Sequence, residues 1–313
     1  MAPKHESSPT RHDEHAQNIS AHADKRYLRL ALAFIVGFMA FEVVVAILVD
    51  SLVLLADAGH MLSDAGAIAA ALWAMHLAAK PARGAWTFGW KRAEILSAAA
   101  NGITLLVVSA LILVESIRRL IHPPEVGGWP LVVVAIVGVA VNLLATLVLA
   151  RADRTSLNIR GAFQHILTDL YGFIATALAG VIILLTGFGR TDAIASLVVV
   201  GLMLRAAWGL LRDSGRILLE AAPESVDMAD VRQHLLEPNY VVDVHDLHAW
   251  TVTSDLPALS AHVVVSEDCF RRGDSPRLLD ELQACLIGHF DVEHSTFQLE
   301  PAGHLEHERG SHA

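Results

Sequence analysis

Six apolar runs, at 27–49, 53–79, 94–121, 129–150, 161–187 and 191–211, leave this chain of 313 residues few ways to fold. Each is long enough to cross the roughly 30 Å hydrocarbon core of a bilayer, which takes about 20 helical residues. Lipid offers backbone N–H and C=O groups no partner, so such segments must satisfy themselves as helices. The chain is 54% hydrophobic and only 18% charged, with a mean hydropathy of +0.47, which excludes an ordinary soluble domain. Residues 1–26 are polar and contain histidines, without the short apolar core and small-residue cleavage site of a signal peptide.

Spans two and five interrupt their own apolarity in the same way. His60 precedes Asp64 by four residues, and His165 precedes Asp169 by four. In a helix that spacing puts both side chains on one face, so each pair presents an imidazole and a carboxylate to the same neighbour. Two such helices side by side offer two nitrogens and two oxygens, a tetrahedral set suited to zinc. Ionisable groups within a membrane are costly and mark ion or substrate paths. The pairs therefore point to a transported divalent metal. Two neutral histidines and two aspartates would leave the loaded site near zero net charge. Once the metal leaves, the two bare aspartates repel in a low dielectric, and protonating the histidines relieves the repulsion. Metal and protons thus compete for the same lone pairs, which is the chemistry of antiport.

Asp57, one turn before His60, is read as an outer partner that orients an imidazole, or as a structural helix-end residue. Glu42, Asn101 and Asn142 are read as hydrogen-bonding glue between helices in preference to lining the path. Arg205 is read as snorkelling to the headgroups, and Arg118, Arg119 and His122 as an interfacial cluster.

Lys and Arg concentrate before span one, between spans two and three, between four and five, and after six; the opposite side has only Arg118, Arg119 and Arg190. The positive-inside rule then places both termini in the cytoplasm. Net charge divides sharply along the chain. Residues 221–313 hold 17 acidic and 5 basic side chains, against 16 and 18 in residues 1–220. The acidic tail attracts cations and argues against nucleic acid. No glycine-rich phosphate loop suggests ATP, and no obligatory cofactor is expected.

The tail reads as a separate α-β-β-α-β unit: a capped helix over 225–237, strands over 241–253 and 258–265, a helix over 276–290 and a strand over 293–300. Adjacent strands would bring His245 and His262 together, with Glu300 nearby. His248, His234, His289 and His294 are read as ordinary surface or core histidines. Cys269 and Cys285 should be reduced on the cytoplasmic side, and Cys285 reads as a buried apolar thiol. The domain plan is a tail with histidines (1–26), a transmembrane unit (27–220), an α+β unit (221–301) and a second such tail (302–313). His5, His12, His15 and His22 at one end, and His304, His307 and His312 at the other, suit weak metal capture or a merely solvated tail.

Four segments carry a resemblance: 51–64 (SLVLLADAGHMLSD), 87–94 (TFGWKRAE), 157–169 (LNIRGAFQHILTD) and 244–250 (VHDLHAW). Together they resemble the cation diffusion facilitators, in the branch of bacterial zinc/cobalt/cadmium-resistance efflux proteins, from about residue 27 to residue 301. The resemblance implies six transmembrane helices, a cytoplasmic metallochaperone-like domain, a homodimer and export of a divalent metal against inward proton flow. It assigns the transport metal to His60, Asp64, His165 and Asp169, and a regulatory zinc to His245, His262 and Glu300. Histidine in both helix pairs is associated with a preference for zinc. In some similar proteins, histidines flanking a Phe-Gly pair hold a second zinc; Trp86 and Trp90 stand there instead, so that site is not expected. The long His-rich loop of other relatives is here the short connection 151–158.

Zinc is thus expected as cargo and as a regulatory ligand, in the inner membrane of a bacterium. Two other classes remain in view. A membrane-tethered zinc sensor would bind metal without flux. An intramembrane zinc hydrolase would need an open coordination position, and the chain lacks His-Glu-x-x-His.

Overall fold

The structure is a computed structural model that describes residues 10–48, 52–122, 128–152, 156–254, 256–292 and 294–304; the side chains of 10–24, 52–60 and a few other helical positions are outside that description. Six long helices come first: α1 (Thr10–Leu48), α2 (Leu52–Ala78), α3 (Ala93–Ile121), α4 (Gly128–Leu149), α5 (Leu157–Thr186) and α6 (Thr191–Leu218). Among the described residues, four are apolar and long enough to cross a membrane: Ala93–Ile121, Val132–Leu149, Leu157–Thr186 and Ala193–Leu218. Multi-pass membrane architecture follows. Large apolar side chains such as Trp73, Leu111, Val114, Leu185 and Trp208 are exposed on the outside of the bundle, where lipid is the natural solvent.

Helix limits follow local chemistry. Ser156 caps α5 by accepting from the Ile159 N–H at 3.4 Å, and Gly187 ends the helix at φ 69°. That cap starts α5 four residues ahead of the expected span, because polar Asn158 and Arg160 continue the helix beyond its apolar stretch. Helix α1 begins at Thr10, so residues 10–26, expected as an unstructured tail, are helical. No Gly or Pro interrupts that stretch, and its Ala, Glu, Gln, Lys and Arg favour the helix once the apolar part has nucleated it.

In the bundle, α3 packs chiefly on α6, α4 on α5, and α1 on both α2 and α4. One buried cluster joins Leu28 and Ile35 of α1, Ile68 of α2, Leu149 of α4 and Ile166 of α5. A second joins Leu105 of α3 to Met203 and Leu210 of α6.

The C-terminal unit orders α7 (Met228–Leu235), β1 (Val241–Thr251), β2 (Pro257–Val265), α8 (Glu267–Arg272), α9 (Ser275–Phe290) and β3 (His294–Pro301). Strand β2 is central, antiparallel to β1 and parallel to β3. Its α7 and α9 cover the sheet with Val231, Leu235, Leu278, Leu282 and Leu286, packed on Val244, Leu259 and Val263. Helix α7 starts later than expected. A turn from Pro223 holds Val226, and Asp227 is the cap, accepting from the Ala229 N–H at 2.8 Å. Helix α8 was not expected: six residues show no readable periodicity, and only its acidic start, basic end and Gly273 at φ 74° signal it. Cys269 fills the core; Cys285 is only half-buried, not enclosed as expected. Burial, with the Glu237 and Glu281 charges beside it, pushes the Cys285 thiol up, so it stays protonated and is a poor metal ligand.

The C-terminal unit rests on one end of the bundle. Arg92 meets Glu220 at 2.9 Å, Arg212 meets Glu224 at 2.7 Å, and the Leu157 N–H donates to Ser254 Oγ at 3.1 Å. Ser156 Oγ donates to the Glu94 carboxylate, tying the start of α5 to α3. The same end carries Arg160, paired with Asp213 at 2.9 Å.

Two candidate metal centres

Mid-bundle, α2 and α5 bring Asp64, His165 and Asp169 together. His165 Nε2 lies 2.6 Å from Asp64 Oδ1 and 3.8 Å from Asp169 Oδ2. One ligand atom from each of the three falls within 4.8 Å of the others. His165 is 2% exposed and Asp64 5%, so these charges sit inside an apolar bundle. His165 and Asp169 share a face because they are one turn apart on α5. Asp64 reaches them because Ile68 and Ile166 pack α2 against α5. At 1.5 Å per residue, Asp64 and Asp169 lie about 18 Å from the starts of their helices, near the middle of a bilayer-sized span. His60 and Asp57 belong to α2, and Glu42 to α1; their side chains lie outside the described residues. The three-residue cluster is thus in place, and the expected fourth ligand is not described.

A cavity of about 160 Å³ opens beside the two carboxylates, between Met61, Asn142, Phe173 and Thr176. Asn142 lines this cavity, and its hydrogen bond stays within α4 and does not join two helices. Its Nδ2 donates to Gly138 O, one turn back, at 3.1 Å. Asn101 lines a smaller pocket beside His165. Arg205 is exposed, as snorkelling requires.

Gly138 sets the cavity's shape. A Cβ there would lie 2.3 Å from Phe173 Cδ1, so only glycine lets the ring lie against α4. Gly138→Ala is expected to push Phe173 into the cavity and lower transport about tenfold while leaving the protein folded, since overpacking costs about 1–3 kcal/mol. Initial rates of metal uptake, set beside thermal unfolding of the same variant, check this.

The second centre is in the C-terminal sheet. His245 of β1 and His262 of β2 are directly paired in register, with rings 5.1 Å apart. Glu300 of β3, only 1% exposed, spans them: its Oε2 lies 3.3 Å from His245 Nε2 and its Oε1 2.7 Å from His262 Nδ1. Gln298 Nε2 donates to Glu300 Oε1 at 2.8 Å and holds the carboxylate in place. One ligand atom from each of His245, His262 and Glu300 again falls within 4.8 Å of the others.

The sequence reading missed Asp246. Strict alternation would point it away from His245, but β1 has a bulge between His245 and His248, and Asp246 takes φ 49°. Its carboxylate thereby reaches His248 at 3.1 Å and His262 at 3.8 Å. The only available signal was an Asp tolerant of positive φ inside a β run. Trp86 and Trp90 stack on each other at 4.3 Å.

A multi-pass helical bundle with buried His/Asp ligands, joined to a small domain with its own metal-binding cluster, defines a class of metal-handling membrane proteins. The sequence matches the cation efflux transmembrane domain over residues 28–219 and the cation efflux protein cytoplasmic domain over residues 223–302. The chain therefore belongs to the cation efflux family, the cation diffusion facilitators, which are transporters and not enzymes. It is 38% identical over 292 residues to a cadmium, cobalt and zinc/H(+)-K(+) antiporter of Bacillus velezensis, covering 93% of each chain. It is also 38% identical over 291 residues to the zinc transporter ZitB of Escherichia coli, covering 92% of this chain and 91% of that one. The metal-bound C-terminal domain of the CzcD transporter from Cupriavidus metallidurans matches 24% of this chain and 99% of its own length, at 36% identity and a TM-score of 0.22.

Proposed function

We propose that this protein exports zinc from the cytoplasm in exchange for protons, holding the metal between the His60/Asp64 and His165/Asp169 pairs. The observation that carries the reading is the convergence of Asp64, His165 and Asp169 at the centre of an apolar bundle. Buried carboxylates around one imidazole are costly unless a cation or protons neutralise them. Zinc supplies two positive charges, and protons on the same groups supply the alternative. Exchange then needs only that the site face each side in turn. The relatives' names include cadmium and cobalt, and these are proposed as secondary cargo.

In this reading α1 to α6 all cross the bacterial inner membrane, and the arginine-rich end that bears the C-terminal domain faces the cytoplasm. Two copies associate as a dimer. Zinc at His245, His262 and Glu300, with Asp246 beside them, neutralises part of the acidic domain and regulates transport. Asp57 orients His60, and the terminal histidines gather metal. The domain cluster favours one rival, a sensor that binds zinc without moving it.

Sealed proteoliposomes with an internal pH dye decide between them. Zinc added on the domain side is expected to enter as protons leave, with a rate that rises with the imposed proton gradient. Zinc binding with neither zinc uptake nor a pH change would leave the sensor as the better account.

A further inference from the structure

The approaches to the buried cluster differ on its two sides. Away from the C-terminal domain lies the cavity of about 160 Å³. Towards the domain, among the described residues, lies a pocket of about 10 Å³ lined by Ala71, Ser97, Asn101, Asn158 and His165. That is room for about one water and too little for a hydrated dication.

Asn158 lies on this side. It is 3% exposed, and its Nδ2 donates to the backbone oxygen of Ala71 at 2.9 Å, crossing from α5 to α2. Asn158 lies seven residues before His165 and Ala71 seven after Asp64. Two turns separate each from its metal-site residue, so this bond and the His165–Asp64 contact stand on the same helix faces. Beside it, Asn101 Oδ1 of α3 is buried with no hydrogen-bond partner among the described residues. A buried amide oxygen without a donor is costly.

We propose that Asn158 is the latch of the domain-side gate, and that Asn101 is its alternative partner. In the state described here Asn158 holds Ala71 and leaves Asn101 Oδ1 unsatisfied. When α2 and α5 part, the Asn158 amide swings to Asn101 Oδ1, which lies in the same pocket. Parting costs the bond to Ala71, whose oxygen stays in the α2 ladder, and gives Asn101 Oδ1 a donor, so the site can exchange between two exposures. Asn158 acts as a positioning residue, since a swing between neighbouring acceptors moves the helices without touching the metal. This rests on the transport reading, in which the site must face both sides in turn.

Hydrogen exchange on the full-length protein in lipid nanodiscs, alongside zinc binding and uptake, tests it. In Asn158→Ala, amide exchange at 67–78 and 157–164 is expected to rise about tenfold, as a weakened local closure requires. Zinc affinity should stay within about threefold of the parent and maximal uptake should fall by about tenfold, because the gate and not the ligand set has changed. Asn158→Asp, similar in size but unable to donate when ionised, should behave alike. Asn101→Ala should leave exchange at these segments unchanged or lower and still slow uptake, since it removes the open-state partner. Unchanged exchange in both Asn158 variants overturns the latch. So does a loss of uptake fully matched by a loss of zinc affinity. If the parent protein moves no zinc, the transport reading fails, while the exchange measurement still decides whether Asn158 closes this face.

Discussion

Alanine at His165 or Asp169 is expected to abolish metal transport, with uptake falling by more than about 100-fold, beyond the roughly 10–100-fold typical of losing an outer partner of a metal ligand. The reason lies in burial. His165 Nε2 sits between Asp64 and Asp169; His165 and Asp64 are buried and Asp169 is partly so. Losing the imidazole leaves two carboxylates facing each other in a low dielectric, which then hold protons tightly and metal poorly. Losing Asp169 removes one of the two charges that offset the dication. Asp169→Asn keeps size and hydrogen bonding, so it separates charge from packing; it should fail as a transporter while unfolding near the parent's temperature. Uptake in proteoliposomes, with thermal unfolding as the control, reads both. A variant that keeps normal uptake would remove that residue from the path.

The second large effect is expected in the C-terminal domain. Glu300→Ala should weaken zinc binding there by more than about 100-fold, equivalent to roughly 3 kcal/mol. The carboxylate is buried and contacts both His245 and His262, so it bridges the two imidazoles. Its removal also leaves Gln298 without the oxygen it donates to. Zinc titration should be done in a His165→Ala background, so that only the domain centre reports. Glu300→Gln keeps the shape and isolates the charge. If zinc affinity survives both changes, Asp246 and His248 hold the metal instead. In the transporting protein, losing this centre is expected to blunt the response to zinc concentration without stopping uptake.

Much of this arrangement is legible in the sequence. Apolar length marked the six long helices, four of which are long and apolar enough to cross a membrane among the described residues. The His165/Asp169 pair was legible because i and i+4 share a helix face whatever surrounds them. Pairing of His245 with His262 followed from adjacency of two β-like runs, and the register bears it out. What escaped was set by geometry without periodicity. Asp246 turns inward through a bulge, and a bulge is one residue of irregular backbone. The contact of Ser254 with Leu157 brings together residues 97 positions apart, and that of Ser156 with Glu94 residues 62 apart. Asn158 reads as the end of the short connection 151–158, and its bond to Ala71 depends on how α2 and α5 cross.

The central claim is that Asp64, His165 and Asp169 hold the transported dication. X-ray absorption on zinc bound to a His262→Ala, Glu300→Gln protein, in which the domain centre is disabled, tests it most directly. The account expects a shell of nitrogen and oxygen at about 2.0–2.1 Å, with imidazole scattering and no sulfur. Adding His165→Ala should remove that zinc. Bound zinc with an unchanged spectrum after His165→Ala and Asp169→Ala would contradict the account.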